Sequence, residues 1–307
     1  MDHLSASKFT VDVVSPQFPC GAAWLANALL ELEVPLPELW GFDTSREWAH
    51  GADGASRYIA EDLPWRQTLA SLRLGRVFTH RRDVRPRFSH FFPWQFIPAH
   101  CVVLIVRDPR DALYSEWQRH RRNLQLPPDV DLPDFLQQPF FSGSISMVDM
   151  LWLHLSSWLA LRRQWAERIF LLRFEDWKHD PVGTLGNVAR WMGLSPSDSE
   201  LACAAAASDV RHLQEAEIAL RKVDSNAREF NRRGMPLEWH ESWKPAWHAA
   251  LGPHWQRPLQ EMNYSALAIE GKTKLTLDMA SVFAWHGLKD PAEIARWTRI
   301  LSCWSSD

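Results

Sequence analysis

Phosphate and sulfate esters are held by backbone N–H groups, guanidinium forks and helix N-termini, and a transferred group needs a base beside it. Four clusters in this 307-residue chain carry those residue types. The first is SPQFPCGAAW, Ser15 to Trp24. A small-residue turn opening a helix can aim several N–H groups at an anion, although Gly there also serves turn geometry alone. It holds no Lys and no G-x-x-x-x-G-K-[ST], which argues against a conventional ATP or GTP hydrolase. The second is Thr79-His80-Arg81-Arg82. His80 ends a β-prone run beside two cations and is a general-base candidate, while a lone His is also often structural. The third is Arg107-Asp108-Pro109-Arg110-Asp111 with Ser115 four residues on. Arg107 and Ser115 can reach one phosphate from a strand end and the following helical turn, or Arg107 can simply pair with the neighbouring Asp residues. The fourth runs from Phe230-Asn231-Arg232-Arg233-Gly234 to Trp239-His240. Its paired arginines fit a phosphate clamp on a flap or a solvated loop.

The elements around these clusters predict an α/β domain. Phe9 to Val14, Arg76–Thr79, Cys101–Val106 and Ile169–Arg173 read as strands, the third continuously apolar as in a central parallel strand. Helices are expected over about Ala23 to Leu32, Asp111 to Arg121 and Met147–Glu167, and they dominate from Pro181 onward. Asp209–Arg233 is polar and charged, the composition of a flap. Lys272–Leu277 is strand-like, and Asp290-Pro291 opens a last helix with an N-cap Asp and a Pro at its first position. The expectation is a single three-layer domain with a central, mostly parallel sheet flanked by helices. Such folds bind ligands at the carboxyl ends of their strands.

Composition narrows the classes. A formal net charge of -3 lacks the basic excess of a nucleic-acid binder, and 23% charged with 46% hydrophobic residues suits a folded domain. Cys20, Cys101, Cys203 and Cys303 form no C-x-x-C pair, so neither a zinc ribbon nor a disulfide framework is expected, and no metal. No secretory signal and no apolar run long enough to span a bilayer is read, and a cytoplasmic protein is expected. The 18 Trp beside 3 Tyr suit an aromatic-lined pocket or a Trp-rich core.

Taken together and in this order, the four clusters resemble the cytosolic-type sulfotransferases that use 3′-phosphoadenosine 5′-phosphosulfate (PAPS). The family's P-K-S-G-T-T-W aligns with Phe18–Trp24, and its K-T-H with Phe78-Thr79-His80. Its R-x-P-x-D-x-x-x-S matches Arg107, Pro109, Asp111 and Ser115. Its H-x-x-x-W matches His154 and Trp158, and its Y-E-D-[LM]-K matches Phe174-Glu175-Asp176-Trp177-Lys178. Its R-K-G-x-x-G-x-W-K aligns with Arg232-Arg233-Gly234 through Trp239-His240. The resemblance covers about residues 9 to 264. It implies a P-loop-like sulfotransferase domain over 1–264, with 265–307 as a C-terminal extension, strand plus helix, packed on it.

The resemblance also implies roles. The loop at Cys20, Gly21, Ala22 and Ala23 would hold the 5′-phosphosulfate, and Trp24 would stack on adenine. Arg107, Ser115, Arg232, Arg233 and Gly234 would bind the 3′-phosphate. Phe174 stands where the family's Tyr meets adenine, with Ser208, Val210 and Phe230 as looser adenine-side matches. His80 would take the proton from a hydroxyl or amine of a small or medium-sized, apolar or aromatic acceptor, giving 3′-phosphoadenosine 5′-phosphate (PAP). The family's loop Lys falls on Pro19, the Lys before its His falls on Phe78, and the Thr pair becomes Ala22 and Ala23. Arg81, Arg82 and His240 are the candidate replacements, acting by charge. The alternative is a PAP- or PAPS-binding protein with little transfer activity. The motifs do not indicate an oligomeric state.

Overall fold

The computed structural model describes residues 10–36, 38–39, 42–43, 48–50, 56–58, 84–95, 101–123, 125–140, 145–223, 233–266 and 279–305. The strands expected at Arg76–Thr79 and Lys272–Leu277 lie outside them. The strands are β1 Thr10–Val14, β2 Glu38–Leu39, β3 Phe42–Asp43, β4 Trp48–His50, β5 Ser56–Tyr58, β6 Arg85–Ser89, β7 Cys101–Val106 and β8 Ile169–Arg173. Six of them form one sheet in the order β3-β2-β6-β1-β7-β8. All neighbours in it are parallel except the antiparallel pair β2 and β3. β4 and β5 form a separate antiparallel pair.

β1 and β7 lie side by side within the sheet, and the unbroken Val, Leu and Ile run of β7 suits a strand covered on both faces. Asp12 is buried in β1, and its carboxylate accepts Arg87 Nε of β6 at 2.9 Å, directly across the ladder. A buried charge paired at one register position penalises any slip of the two strands, because a slip would strand both partners.

β6 is the element the sequence reading missed. It is Arg-Pro-Arg-Phe-Ser, and a Pro in a short run argues against a central strand. Pro86 is tolerated because β2 pairs only with Arg87 and Phe88, so on that side Pro86 needs no ladder hydrogen bond. Both neighbours of β1 are thereby fixed as β6 and β7.

The helices are α1 Ala22–Glu31, α2 Pro109–Arg122, α3 Leu132–Leu136, α4 Met147–Gln164, α5 Phe174–His179, α6 Pro181–Trp191, α7 Asp198–Ala207 and α8 Val210–Val223. Then follow α9 Trp239–Ser242, α10 Pro245–Ala249, α11 Gln256–Glu261, α12 Met279–Trp285 and α13 Pro291–Ser305. Local chemistry sets their starts. Asp108 caps α2 by accepting from Arg110 N, with Pro109 in the first turn, and Ser197 with Glu200 makes a capping box on α7. α4 is the core helix, with Trp152 and Trp158 fully buried. Half of the expected flap is helix: Val210–Val223 is amphipathic α8, and 224–232 lie outside the described residues.

Beyond Tyr264 the described chain is helical. α13 packs on α4, with Arg163 over the Trp304 ring at 5.3 Å, and Arg257 donates to the Cys303 carbonyl at 2.7 Å. No described helix is long and apolar enough to cross a membrane. Phe88, fully buried on β6, tests the strand assignment. Phe88→Ala should lower unfolding free energy by about 3–5 kcal/mol in urea titrations, and Phe88→Leu by clearly less.

Candidate active site at the strand ends

The loop leaving β1 turns at Gly21, whose φ of +91° is the left-handed conformation that a residue with a Cβ rarely adopts. A Cβ at Gly21 would also sit 2.8 Å from the Phe174 ring. Close approach of the loop to Phe174 therefore requires glycine. The loop and the N-terminus of α1 border a cavity of about 260 Å³. Cys20, Gly21, Ala22, Ala23, Trp24, Arg107, Ser115, Phe174 and Gly234 all line it, from five separate parts of the chain. Burial pushes the Cys20 thiol up to about 12, so it stays neutral and adds no negative charge where an anion would sit.

Arg107 ends the central strand and ties these parts together. Its Nη1 donates to Pro19 O and its Nη2 to Met235 O, each at 3.1 Å. Its guanidinium lies 4.3 Å from the Phe174 ring centre. Arg107 Nε is buried and has no hydrogen-bond partner among the described residues. One turn on, Asp111 accepts from Leu237 N at 2.5 Å and Trp239 N at 3.0 Å. Burial raises its pKa, with Arg107 opposing. The Arg-x-Pro-x-Asp spacing thus holds residues 235–239 against the mouth of the cavity. Glu175 does the same for α5, accepting from Asp108 N at 3.0 Å and from the Tyr264 hydroxyl at 2.5 Å.

Trp24 and Phe174 face each other at 5.1 Å, and a Cβ on Gly234 would come within 2.8 Å of the Trp24 ring. Lys178 Nζ lies 3.9 Å from that ring's centre. Burial lowers the Lys178 pKa, against the pull of Asp209.

Other expected residues do not gather here. Ser208 is buried at the end of α7, where its hydroxyl donates to Ala204 O and Ala205 O rather than facing the cavity; Val210 lines the wall instead. Arg233 is exposed, 3.7 Å from Glu238, and outside the lining. His80, Arg81, Arg82, Phe230 and Arg232 lie outside the described residues.

Among the described residues, the histidine lining the cavity is His90, directly after β6. The sequence holds Phe-Thr-His at 78–80 and Phe-Ser-His at 88–90, and the second is the one that follows the strand beside β1. The same Phe-x-His pattern thus recurs ten residues later, on a strand that Pro86 hid from the sequence reading. His90 Nδ1 lies 2.9 Å from Ser15 O. A carbonyl only accepts, so Nδ1 carries the proton and neutral His90 has its lone pair on Nε2. The next carbonyl, Phe91 O, is held by two α4 side chains, His154 Nε2 at 3.2 Å and Trp158 Nε1 at 2.8 Å. The His-x-x-x-Trp spacing, one helical turn, is what aims both at one oxygen.

A second cavity of about 220 Å³ lies on the other side of His90. It shares Gln17, Phe18 and His90 with the first, and Phe91, Phe92, Met150, His154 and His286 add to its wall. His286 packs on Phe92 at 4.3 Å between ring centres, and Phe283 and Trp297 pack on Trp94 at 5.0 and 5.4 Å. The two C-terminal helices therefore brace the segment that carries the histidine.

Burial holds these imidazoles neutral. His90 is lowered to about 4, opposed by the Ser15 carbonyl, and His154 to about 3; His254 and His286 are each lowered to about 4. The unfolded chain takes up these protons near 6.5, so between that pH and 4 it binds more protons than the folded one. Stability must then fall as pH drops through this window. Asp111, Asp149 and Glu175, raised by burial, act oppositely, in the carboxylate range just above their ordinary values. Urea midpoints should therefore fall from about pH 7 to about pH 5, and His154→Gln should make that dependence shallower.

A model of the sulfotransferase domain matches residues 71–263. Cytosolic sulfotransferase 3 of Arabidopsis thaliana is 28% identical over 99 residues, 32% of this chain and 31% of that protein. The chain thus aligns with about a third of that relative's length. Retinol dehydratase in complex with androsterone and inactive cofactor PAP superposes with a TM-score of 0.53 at 14% identity, covering 86% of this chain and 83% of that one. The same enzyme with retinol and PAP gives 0.51 at 14%, covering 85% and 83%. The superpositions share the fold, and the domain match spans well over half of the described core: the chain belongs to the sulfotransferase domain family.

Proposed function

We propose that this protein transfers the sulfuryl group of PAPS to a hydroxyl of a small, apolar or aromatic acceptor, with His90 as the base. One observation carries the reading: His90 stands between two cavities with Nδ1 tied to Ser15 O, so that Nε2 is its proton acceptor. The first cavity suits the nucleotide on two counts, the left-handed Gly21 turn beside the N-terminus of α1 and the unpartnered buried Nε–H of Arg107. Arg107 and Ser115 would take the 3′-phosphate, joined by Arg232, Arg233 and Gly234, while Trp24 and Phe174 would enclose adenine. Lys178 must then leave the Trp24 face.

Bound PAPS supplies an activated sulfuryl group whose leaving group is the 5′-phosphate of PAP. The second cavity, walled by Phe18, Phe91, Phe92 and Met150, suits an uncharged acceptor. His90 would remove the hydroxyl proton as the oxygen attacks sulfur, and a neutral imidazole is the form that can do so. A binding-only reading has one feature in its favour: the loop position of the family Lys is Pro19, and buried Phe88 precedes His90. The two separate on PAP release from PAPS with a panel of phenols such as 2-naphthol. Transfer that falls by about 10²–10⁴ in His90→Ala supports the base. Unchanged transfer in that variant removes His90 from the role, and PAP binding without release under every phenol favours the binder.

A further inference from the structure

We propose that Arg119 supplies the positive charge at the sulfuryl end of the nucleotide cavity that a loop lysine would otherwise provide. The proposal rests on the nucleotide reading above. Loss of charge at this end is what the sequence leaves unexplained: the loop from Ser15 to Trp24 has no Lys or Arg, and Phe88 is fully buried. Yet two cations line the cavity among its described residues, Arg107 and Arg119.

They come from different elements, the end of β7 and the last turn of α2. Arg107 is committed to Pro19 O, Met235 O and the Phe174 face, at the side closed by Trp24 and Gly234. Arg119 lies four residues beyond Ser115 on α2, on the same helix face and about 6 Å further along its axis. Arg119 and His90 line the same cavity, and the charge of Arg119 opposes protonation of His90. A 3′-phosphate and a 5′-phosphosulfate on one ribose are also displaced from each other, and a helix with Ser115 and Arg119 one turn apart can serve both.

Arg119 is also held in place. Its Nη2 donates to Glu116 Oε1 at 2.5 Å, and His120 Nε2 lies 3.0 Å from the same oxygen. The Glu116 side chain is 4% exposed, so it is a fixed anchor, while Arg119 keeps 25% of its side chain accessible. A guanidinium held this way needs little reorganisation when charge develops beside it. In the transfer step the acceptor oxygen–sulfur bond forms and the bond from sulfur to the bridging oxygen of the 5′-phosphate breaks. His90 Nε2 takes the acceptor proton, the bonding pair leaves with PAP, and Arg119 stays charged throughout, stabilising the sulfuryl oxygens and the departing phosphate.

The test uses the full chain with Arg119→Ala, Arg119→Lys and Arg119→Gln, the last two keeping most of the side-chain volume. PAP release from PAPS with 2-naphthol and separate affinities for PAPS and PAP are measured. The expected result is a fall in kcat of about 10²–10³ for Arg119→Ala and Arg119→Gln, partial recovery with Arg119→Lys, and PAP affinity within about twofold of wild type. Wild-type turnover in Arg119→Ala, or equal weakening of PAPS and PAP with kcat unchanged, overturns the proposal. If the wild type binds PAP but transfers to no phenol, the transfer reading fails by itself. Arg119 is then judged on binding: selective loss of PAPS affinity in Arg119→Gln sustains the sulfuryl contact, and unchanged PAPS affinity overturns it.

Discussion

The site depends on one buried guanidinium. Arg107 sits at the end of the strand most deeply covered by helices, and it satisfies carbonyls from the loop after β1 and from residue 235. An arginine can do this because its fork presents several donors in one plane and cannot shed its charge. Burying that charge is costly unless it is paired, and Asp111 at 3.9 Å together with the Phe174 face provides the compensation. The same neighbourhood holds the Asp108–Arg110 pair, stacked on Trp239 at 3.8 Å, and Glu175 bridging Asp108 to Tyr264. These groups fasten β7, α2, α5 and residues 235–239 to one another. The cavity is consequently a by-product of how the strand ends are tied.

A second layer fixes the histidine. Asp12 and Arg87 set the register of β6 against β1, which decides where the strand stops and so where His90 stands. Ser15 O orients the ring, and His154 with Trp158 holds the carbonyl one residue on. None of these contacts is to a reacting group. Each removes a way for Nε2 to point elsewhere, so the ring is held in one orientation at the cavity wall.

Much of this was legible in the sequence, for physical reasons. The continuous apolar runs of β7 and β8 and the Val- and Thr-rich run of β1 were plain as strands, and Asp108-Pro109 announced the start of α2. The spacing from Arg107 to Ser115 carried through to a shared cavity wall. Legibility failed where local chemistry contradicted tertiary context. Pro86 argued against a strand that exists because its other edge is barely paired, so His90 at the end of that strand was not considered. Ser208 looked available until its hydroxyl proved to be spent on the end of its own helix. The polar run after Asp209 read as a flap, but its amphipathic spacing folds as α8. Arg119 did not stand out in the sequence because nothing in a run of charged helix residues marks one that is anchored by a buried carboxylate and lines a cavity.

The packing of α12 and α13 on Phe92 and Trp94 has a consequence for how the molecule comes into being. Chains fold as they emerge, N-terminal parts first. Among the described residues the walls of the first cavity lie between Ser15 and Gly234, whereas His286, Phe283 and Trp297 emerge later. A nascent chain can thus close the first cavity while the His286 wall of the second is still unsynthesised. During that interval Phe92 and Trp94 lack the packing of His286, Phe283 and Trp297, and their rings stay less covered than in the finished chain.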